Sequence, residues 1–167
     1  ELLKQNQIQP EDLDAVAVGE GPGSYTGLRI GVSFAKGLCY GTGKPLISVS
    51  SLAALTAVAI EDYKAGILDI ESWEESILCP MIDARRMEVY AAVYNRGLKA
   101  VRETQADIID ETSYGELLEK HPIYFFGNGA NKCKDTIQHP NAHFLDNIHP
   151  QAKYMFPLAE QAMAKND

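Results

Sequence analysis

Gly21-Pro22-Gly23-Ser24-Tyr25-Thr26-Gly27-Leu28-Arg29-Ile30-Gly31 is the stretch on which the fold of this 167-residue chain turns. Residues 13–18, a β-branched run ending at Gly19, predict a buried strand just before it. A helix is predicted behind it over residues 24–40, stopped by Gly41, Gly43 and Pro45. Residues 46–49 predict a second strand. Ser51 then suits the cap of a second helix reaching about Tyr63, because its hydroxyl can accept from an orphan backbone N–H. Strand, helix, strand, helix at this spacing predicts a parallel βαβα unit with right-handed crossovers.

The grammar changes after residue 64. Residues 64–76 are polar and without periodicity, which predicts a linker or surface excursion. Strands are predicted at 77–82, 88–94 and 101–109, the last two joined by a tight turn at Asn95-Arg96-Gly97. A helix over 112–120, a buried strand at 123–126, a helix from the Gly127-Asn128-Gly129 turn to Ile137 and an amphipathic helix over 152–165 complete the pattern. Two α/β lobes are expected, one over residues 1–70 and one over 71–167. The opening Glu1-Leu2-Leu3-Lys4-Gln5-Asn6, without Met, reads as the tail of a helix already under way.

Composition narrows the class. With 46% hydrophobic and 23% charged residues the chain is ordinary globular material rather than disordered. A net charge of -8 argues against gripping a polyanion by the overall field, since phosphate contacts need clustered Lys and Arg. Direct nucleic-acid binding by the chain alone is therefore not expected. Cys39, Cys79 and Cys133 are odd in number and far apart, which fits reduced thiols in a cytosolic compartment better than a disulfide framework. The uncharged run 52–60 is far shorter than the roughly 20 residues of a membrane helix, so no membrane role is expected.

Several residues carry potential chemistry. Gly21, Gly23 and Ser24 lie where a strand meets a helix N-terminus, a place where backbone N–H groups can face a nucleotide phosphate. The spacing is neither GxGxxG nor a Walker loop, and a tight turn with close packing explains the glycines as well. Asp83-Ala84-Arg85-Arg86 between two strands could face a metal-bound nucleotide, a phosphate or a carboxylate, or be a solvated hairpin with its own ion pairs. Gly127 and Gly129 are either a nucleotide-facing turn or an ordinary strand-to-helix loop. His139 and His143 have the i, i+4 spacing of a zinc pair, but Pro140 and Asn141 make the segment a turn and a surface loop is expected, with no metal. No serine or cysteine has a base and orienter at known spacing, so no catalytic residue is assigned.

The first helix points elsewhere. On a helical wheel Gly27, Leu28, Ile30, Gly31, Val32, Phe34, Ala35, Leu38 and Cys39 form an arc of about 200°, wider than the ~100° stripe one core can cover. Gly27, Gly31 and Ala35 at i, i+4, i+8 suggest a smooth groove for another backbone, by analogy with small-residue helix crossings. The second helix has no charge until Glu61. A partner surface is expected on Thr26, Gly27, Ile30, Gly31, Phe34, Ala35, Leu38, Leu52, Leu55 and Ala59, unless other parts of the chain cover both helices.

These residues also carry a resemblance. Residues 15–18 running into Gly21-Pro22-Gly23-Ser24-Tyr25-Thr26-Gly27-Leu28-Arg29-Ile30-Gly31-Val32, then Lys36-Gly37-Leu38 and Ser50-Ser51-Leu52, closely resemble the TsaB family, also called YeaZ. Asp83-Ala84-Arg85-Arg86, Glu88-Val89-Tyr90 and Gly127-Asn128-Gly129 match its second lobe in order. The resemblance implies an α/β, actin-like and Hsp70-like fold (ASKHA, ribonuclease H-like) of two related lobes. Relative to the family's usual pattern, the initial β-hairpin and the short Tyr-containing tail are missing, so a fold truncated at both ends is expected. The resemblance further implies a non-catalytic, cytoplasmic partner in installing threonylcarbamoyl on the adenosine beside the anticodon of tRNAs. Such a subunit forms a homodimer, or a heterodimer with the metal-containing paralogue TsaD, works with the ATPase TsaE, and meets tRNA only indirectly. The family's helices after the glycine loop form its dimerisation surface. No cofactor of its own is implied, with ATP or ADP only at the level of the complex. The competing expectation is an actin-like ATPase or a glycoprotease-like (peptidase M22) metalloenzyme.

Overall fold

The computed structural model describes residues 1–165, so Asn166 and Asp167 of the expected second lobe lie outside it. The chain forms two compact units: Glu1–Ser51 with the segment from Met155 onward, and Leu52–Tyr154.

In the first unit a short helix α1 (Leu2–Gln5) is followed by strand β1 (Val16–Gly21), helix α2 (Tyr25–Thr42) and strand β2 (Leu46–Ser50). β1 and β2 are parallel, with Val16 opposite Leu46 and Val18 opposite Ser48, as the βαβ spacing predicts. α2 is the crossover and packs on β1. Ser24 caps it, its hydroxyl accepting from the Gly27 N–H at 3.3 Å, and Gly43 ends it in the left-handed conformation (φ 68°). The final helix α5 (Phe156–Lys165) packs against β2. The predicted helix over 152–165 is thus part 3-10 (Ala152–Met155) and part α. Pro157 sits in the first α-helical turn, where its missing N–H costs nothing.

The second unit begins with helix α3, which runs Ser51–Lys64 and enters the unit at Leu52. Strands β3 (Ile77–Asp83), β4 (Glu88–Tyr94), β5 (Ala100–Ile108), β6 (Ile123–Phe126) and β7 (Ala142–Leu145) make one sheet in the order β5-β4-β3-β6-β7. β3, β4 and β5 form an antiparallel meander, while β6 and β7 run parallel to β3. Three antiparallel strands extended by two parallel ones is the sheet of a ribonuclease H-like lobe, as expected. All four residues of β6 are buried, since both faces of this central strand are covered. On one face Cys79, Met81, Val89, Ala91, Val93 and Phe125 pack with Leu118, Cys133 and Ile137. On the other, Leu78, Tyr124 and Phe126 meet Leu55, Val58, Ala59 and Ile60 of α3.

Several expectations need adjustment. Residues 64–76 run over the surface as expected but are pinned there, since Ile70 is buried and Trp73 stacks on Tyr63 of α3 at 4.0 Å. For the same reason the two units part at Leu52 rather than near residue 70, and the last helix rejoins the first. The helices predicted over 112–120 and up to Ile137 shrink to α4 (Gly115–Leu118) and a 3-10 turn (Asn131–Cys133). Asp110 accepts from the N–H and hydroxyl of Thr112 and from the Ser113 hydroxyl, holding the backbone in a turn where a longer helix would start. Finally, of the loop expected from His139 to His143 only the turn up to Asn141 forms, and residues 142–145 are strand β7.

Candidate functional site

α2 presents two unlike faces. Ala35 is buried, and Leu28, Val32 and Cys39 lie half-buried on the side toward the unit's own sheet. Across the helix Ile30 is 66% exposed and Phe34 73%, and Tyr40, farther round the helix, is 95% exposed. Gly37 and Gly41 flank these side chains, and a Cβ added at either would meet nothing within 4 Å. The open face is therefore Thr26, Gly27, Ile30, Phe34, Gly37 and Gly41, at steps of three and four residues. Tyr25 and Arg29 stand at its edge, paired one turn apart by an Arg29 Nη1 to Tyr25 hydroxyl bond of 3.0 Å. Exposed apolar side chains gathered on one helix face are the mark of an interaction surface.

The expected surface is corrected in part. Thr26, Gly27, Ile30 and Phe34 are open, and Leu38 is half-buried. Gly31 is not on the open face, because a Cβ there would lie 3.8 Å from Val18 Cγ2 of β1, and Ala35 is buried beside it. The groove expected at Gly27, Gly31 and Ala35 is thus divided between solvent and sheet, and Gly37 and Gly41 are the small residues that sequence reasoning missed. Four-residue steps drift only about 40° per turn, so i, i+4, i+8 looks like one stripe until the packed side is known. Leu52, Leu55 and Ala59 are fully buried in the second unit's core, so they offer no partner surface.

Ahead of α2, Gly21 is buried at φ 108°, and a Cβ on it would come within 3.2 Å of Leu28 Cδ1. The glycine is needed because the turn closes onto the helix's first apolar side chain. Gly23 and Ser24 are exposed, with the Ser24 hydroxyl spent on its own helix.

The residues of the second unit that sequence reasoning linked to a nucleotide do come together. Asn128 Oδ1 accepts from the Asp83 N–H at 3.0 Å, and the Gly129 N–H donates to the Met81 carbonyl at 3.0 Å. A Cβ at Gly127 would sit 2.4 Å from that same carbonyl oxygen, so the turn's glycines permit close approach to β3. Lys132, which sequence reasoning did not single out, organises the cluster. Its ammonium donates to the Asp83 carboxylate, to the Arg86 carbonyl at 2.5 Å and to the Glu88 carbonyl at 2.7 Å. That hydrogen bond holds the Asp83 carboxyl below the usual carboxylate range.

Elsewhere the polar groups satisfy one another. Arg102 bridges Asp107, which also accepts from the Tyr114 hydroxyl at 2.7 Å, at an open cleft of about 440 Å³. Burial opposes ionisation of Asp107, but Arg102 and Tyr114 outweigh it and keep the carboxyl low. Burial also pushes the Cys79 and Tyr114 acids far up, so neither is a nucleophile or base at neutral pH. His139 Nδ1 accepts from the Asn141 N–H, and His143 stacks on Tyr124 at 4.7 Å, each in a structural role. Among the described residues no three His, Cys, Asp or Glu side chains gather as metal ligands, and no helix is long and apolar enough to cross a membrane.

Comparison with known proteins agrees with this arrangement. The profile of the TsaD family, tRNA N6-adenosine threonylcarbamoyltransferase, matches residues 1–166. The tRNA threonylcarbamoyladenosine biosynthesis protein TsaB of Escherichia coli is 31% identical over 171 aligned residues, 99% of this chain and 70% of that protein. The chain belongs to the TsaB (YeaZ) family. The TsaB of Bacillus subtilis is 32% identical over 142 residues, and this chain spans 56% of its length. A Pseudomonas aeruginosa protein described as similar to peptidase YEAZ superposes with a TM-score of 0.79 at 25% identity, over 99% of this chain and 73% of its own. TsaB membership and the ribonuclease H-like sheet together establish the actin-like (ASKHA) class of the fold.

Proposed function

We propose that the chain serves tRNA threonylcarbamoyladenosine formation as a non-catalytic partner, docking through the open face of α2. The carrying observation is that Ile30 and Phe34 stand exposed on a helix whose other side is already packed on its own sheet. Apolar and aromatic side chains flanked by glycines suit helix-to-helix contact, because the glycines let a second backbone come close. The occupant we assign is a helix of the TsaD-type transferase paralogue, with the same face able to pair two copies of this chain. A TsaE-type ATPase joins that assembly, and ATP or ADP binds only at the level of the complex. In this reading the chain itself supplies no catalytic group, and the Asp83 carboxylate is engaged by Lys132.

The test is size exclusion with light scattering of the full-length protein mixed with its cognate TsaD-type transferase. A mixed complex is expected, and it should be lost on Phe34→Glu. Two folded partners that never associate would overturn the proposal.

A further inference from the structure

The loop between β3 and β4 has a property the α2 surface does not explain. Arg85 and Arg86 are consecutive, exposed, and both in the left-handed region, at φ 73° and 48°. Non-glycine residues rarely adopt that conformation, and two in a row need external support. Support is present on every side: the Lys132 ammonium holds the Arg86 and Glu88 carbonyls, the Arg85 N–H donates to the Asp83 carboxylate at 3.2 Å, and the Ala84 N–H donates to the Glu88 carbonyl at 3.1 Å.

The backbone is fixed while the two guanidinium groups are left uncommitted. The chain's three other arginines each engage a side chain: Arg29 bonds Tyr25, Arg96 pairs with Glu74 and Arg102 with Asp107. Arg85 and Arg86 make no ion pair among the described residues, although the chain carries 23 acidic side chains. Of the two acids beside them in the chain, Asp83 is neutralised by Lys132 and Glu88 makes no ion pair among the described residues, and the resulting loop (Asp83, Arg85, Arg86, Glu88 and Lys132) is net positive on an acidic protein. The hairpin is solvated, but its ion pair is made with Lys132 from outside it and not by its own arginines.

We propose that Arg85 and Arg86 are a preset contact for backbone phosphates of tRNA within the modification complex. Guanidinium groups on a fixed backbone suit phosphate oxygens, since the planar fork pairs with them bidentately and less side-chain freedom is lost per hydrogen bond formed. Two such contacts are too few to hold RNA against a net charge of -8, so they act only once the assembly brings the RNA near. The proposal rests on the partner role above and revises the expectation that tRNA is met only indirectly.

The experiment uses the full-length protein assembled with its cognate TsaD-type transferase and TsaE-type ATPase, and an unmodified tRNA transcript as probe. Affinity is measured by filter binding across salt concentrations for the parent, R85A/R86A and R85K/R86K, with complex mass followed by light scattering. The alanine pair should leave the mass unchanged, weaken tRNA binding about tenfold at physiological salt, and flatten the log K against log salt slope by about 1.5. The lysine pair should restore most of the slope, because the charge is kept. Unchanged affinity and slope in an intact complex would overturn the proposal, and so would loss of the complex itself, which would assign the arginines to a protein partner. If the parent proteins do not assemble, the partner role fails at that step, before any arginine is changed.

Discussion

α2 and α3 look alike on paper and end differently. Each is rich in small and apolar residues over most of its circumference, yet Leu52, Leu55 and Ala59 of α3 are inaccessible while Ile30 and Phe34 of α2 stand in solvent. What differs is how many sides of each helix find cover. α3 lies on a five-stranded sheet whose Leu78, Tyr124 and Phe126 close over it, whereas α2 lies on the pair β1 and β2. A sheet reaches only one flank of a helix, yet Leu52 and residues 54–60 of α3 are buried all round its circumference, while the far flank of α2 is left open. Apolar content thus sets how much surface seeks cover, and the packing on each further side of the helix sets how much finds it.

The sharpest way to break this contrast is Leu55→Ala. If α3 is core, chemical denaturation should show a loss of about 2–5 kcal/mol with no specific effect on partner binding. A loss near zero would put α3 on the surface after all. Phe34→Glu should do the reverse, leaving unfolding stability within about 0.5 kcal/mol of the parent while weakening association by 2 kcal/mol or more, roughly thirtyfold. Sedimentation equilibrium beside a denaturation curve separates the two effects. Destabilisation by Phe34→Glu would mean that the open face is covered within the chain.

Two glycines refine the comparison inside α2. Gly31→Leu should cost about 1–3 kcal/mol of folding stability by overpacking against Val18. A folded, undisturbed variant with a broken dimer would instead place Gly31 on the partner side. The smallest effect is expected at Gly37→Ala, where the added methyl meets nothing. Relief of glycine's helix penalty should stabilise the free protein by about 0.5–1 kcal/mol, read as a raised midpoint. Weaker association in the same variant would mean that a partner backbone comes close to Gly37.

The amino-acid order alone determined the elements whose signals are local. Ser24 at the head of α2, Gly43 at its end, the β-branched β2 and the four-residue apolar β6 are each specified by neighbours in sequence, through capping, backbone freedom and patterning. The family was legible for the same reason, since the run from Gly21 to Gly31 is continuous in the chain. Tertiary structure alone decided which apolar residues are core. Gly27 and Gly31 differ by one turn of helix, but one faces solvent and the other Val18. It also decided that the Lys132 ammonium, 49 residues from Asp83, would take that carboxylate and leave Arg85 and Arg86 without one. Burial and ion pairing are settled by groups distant in sequence, and their arrangement exists only once the sheets have formed.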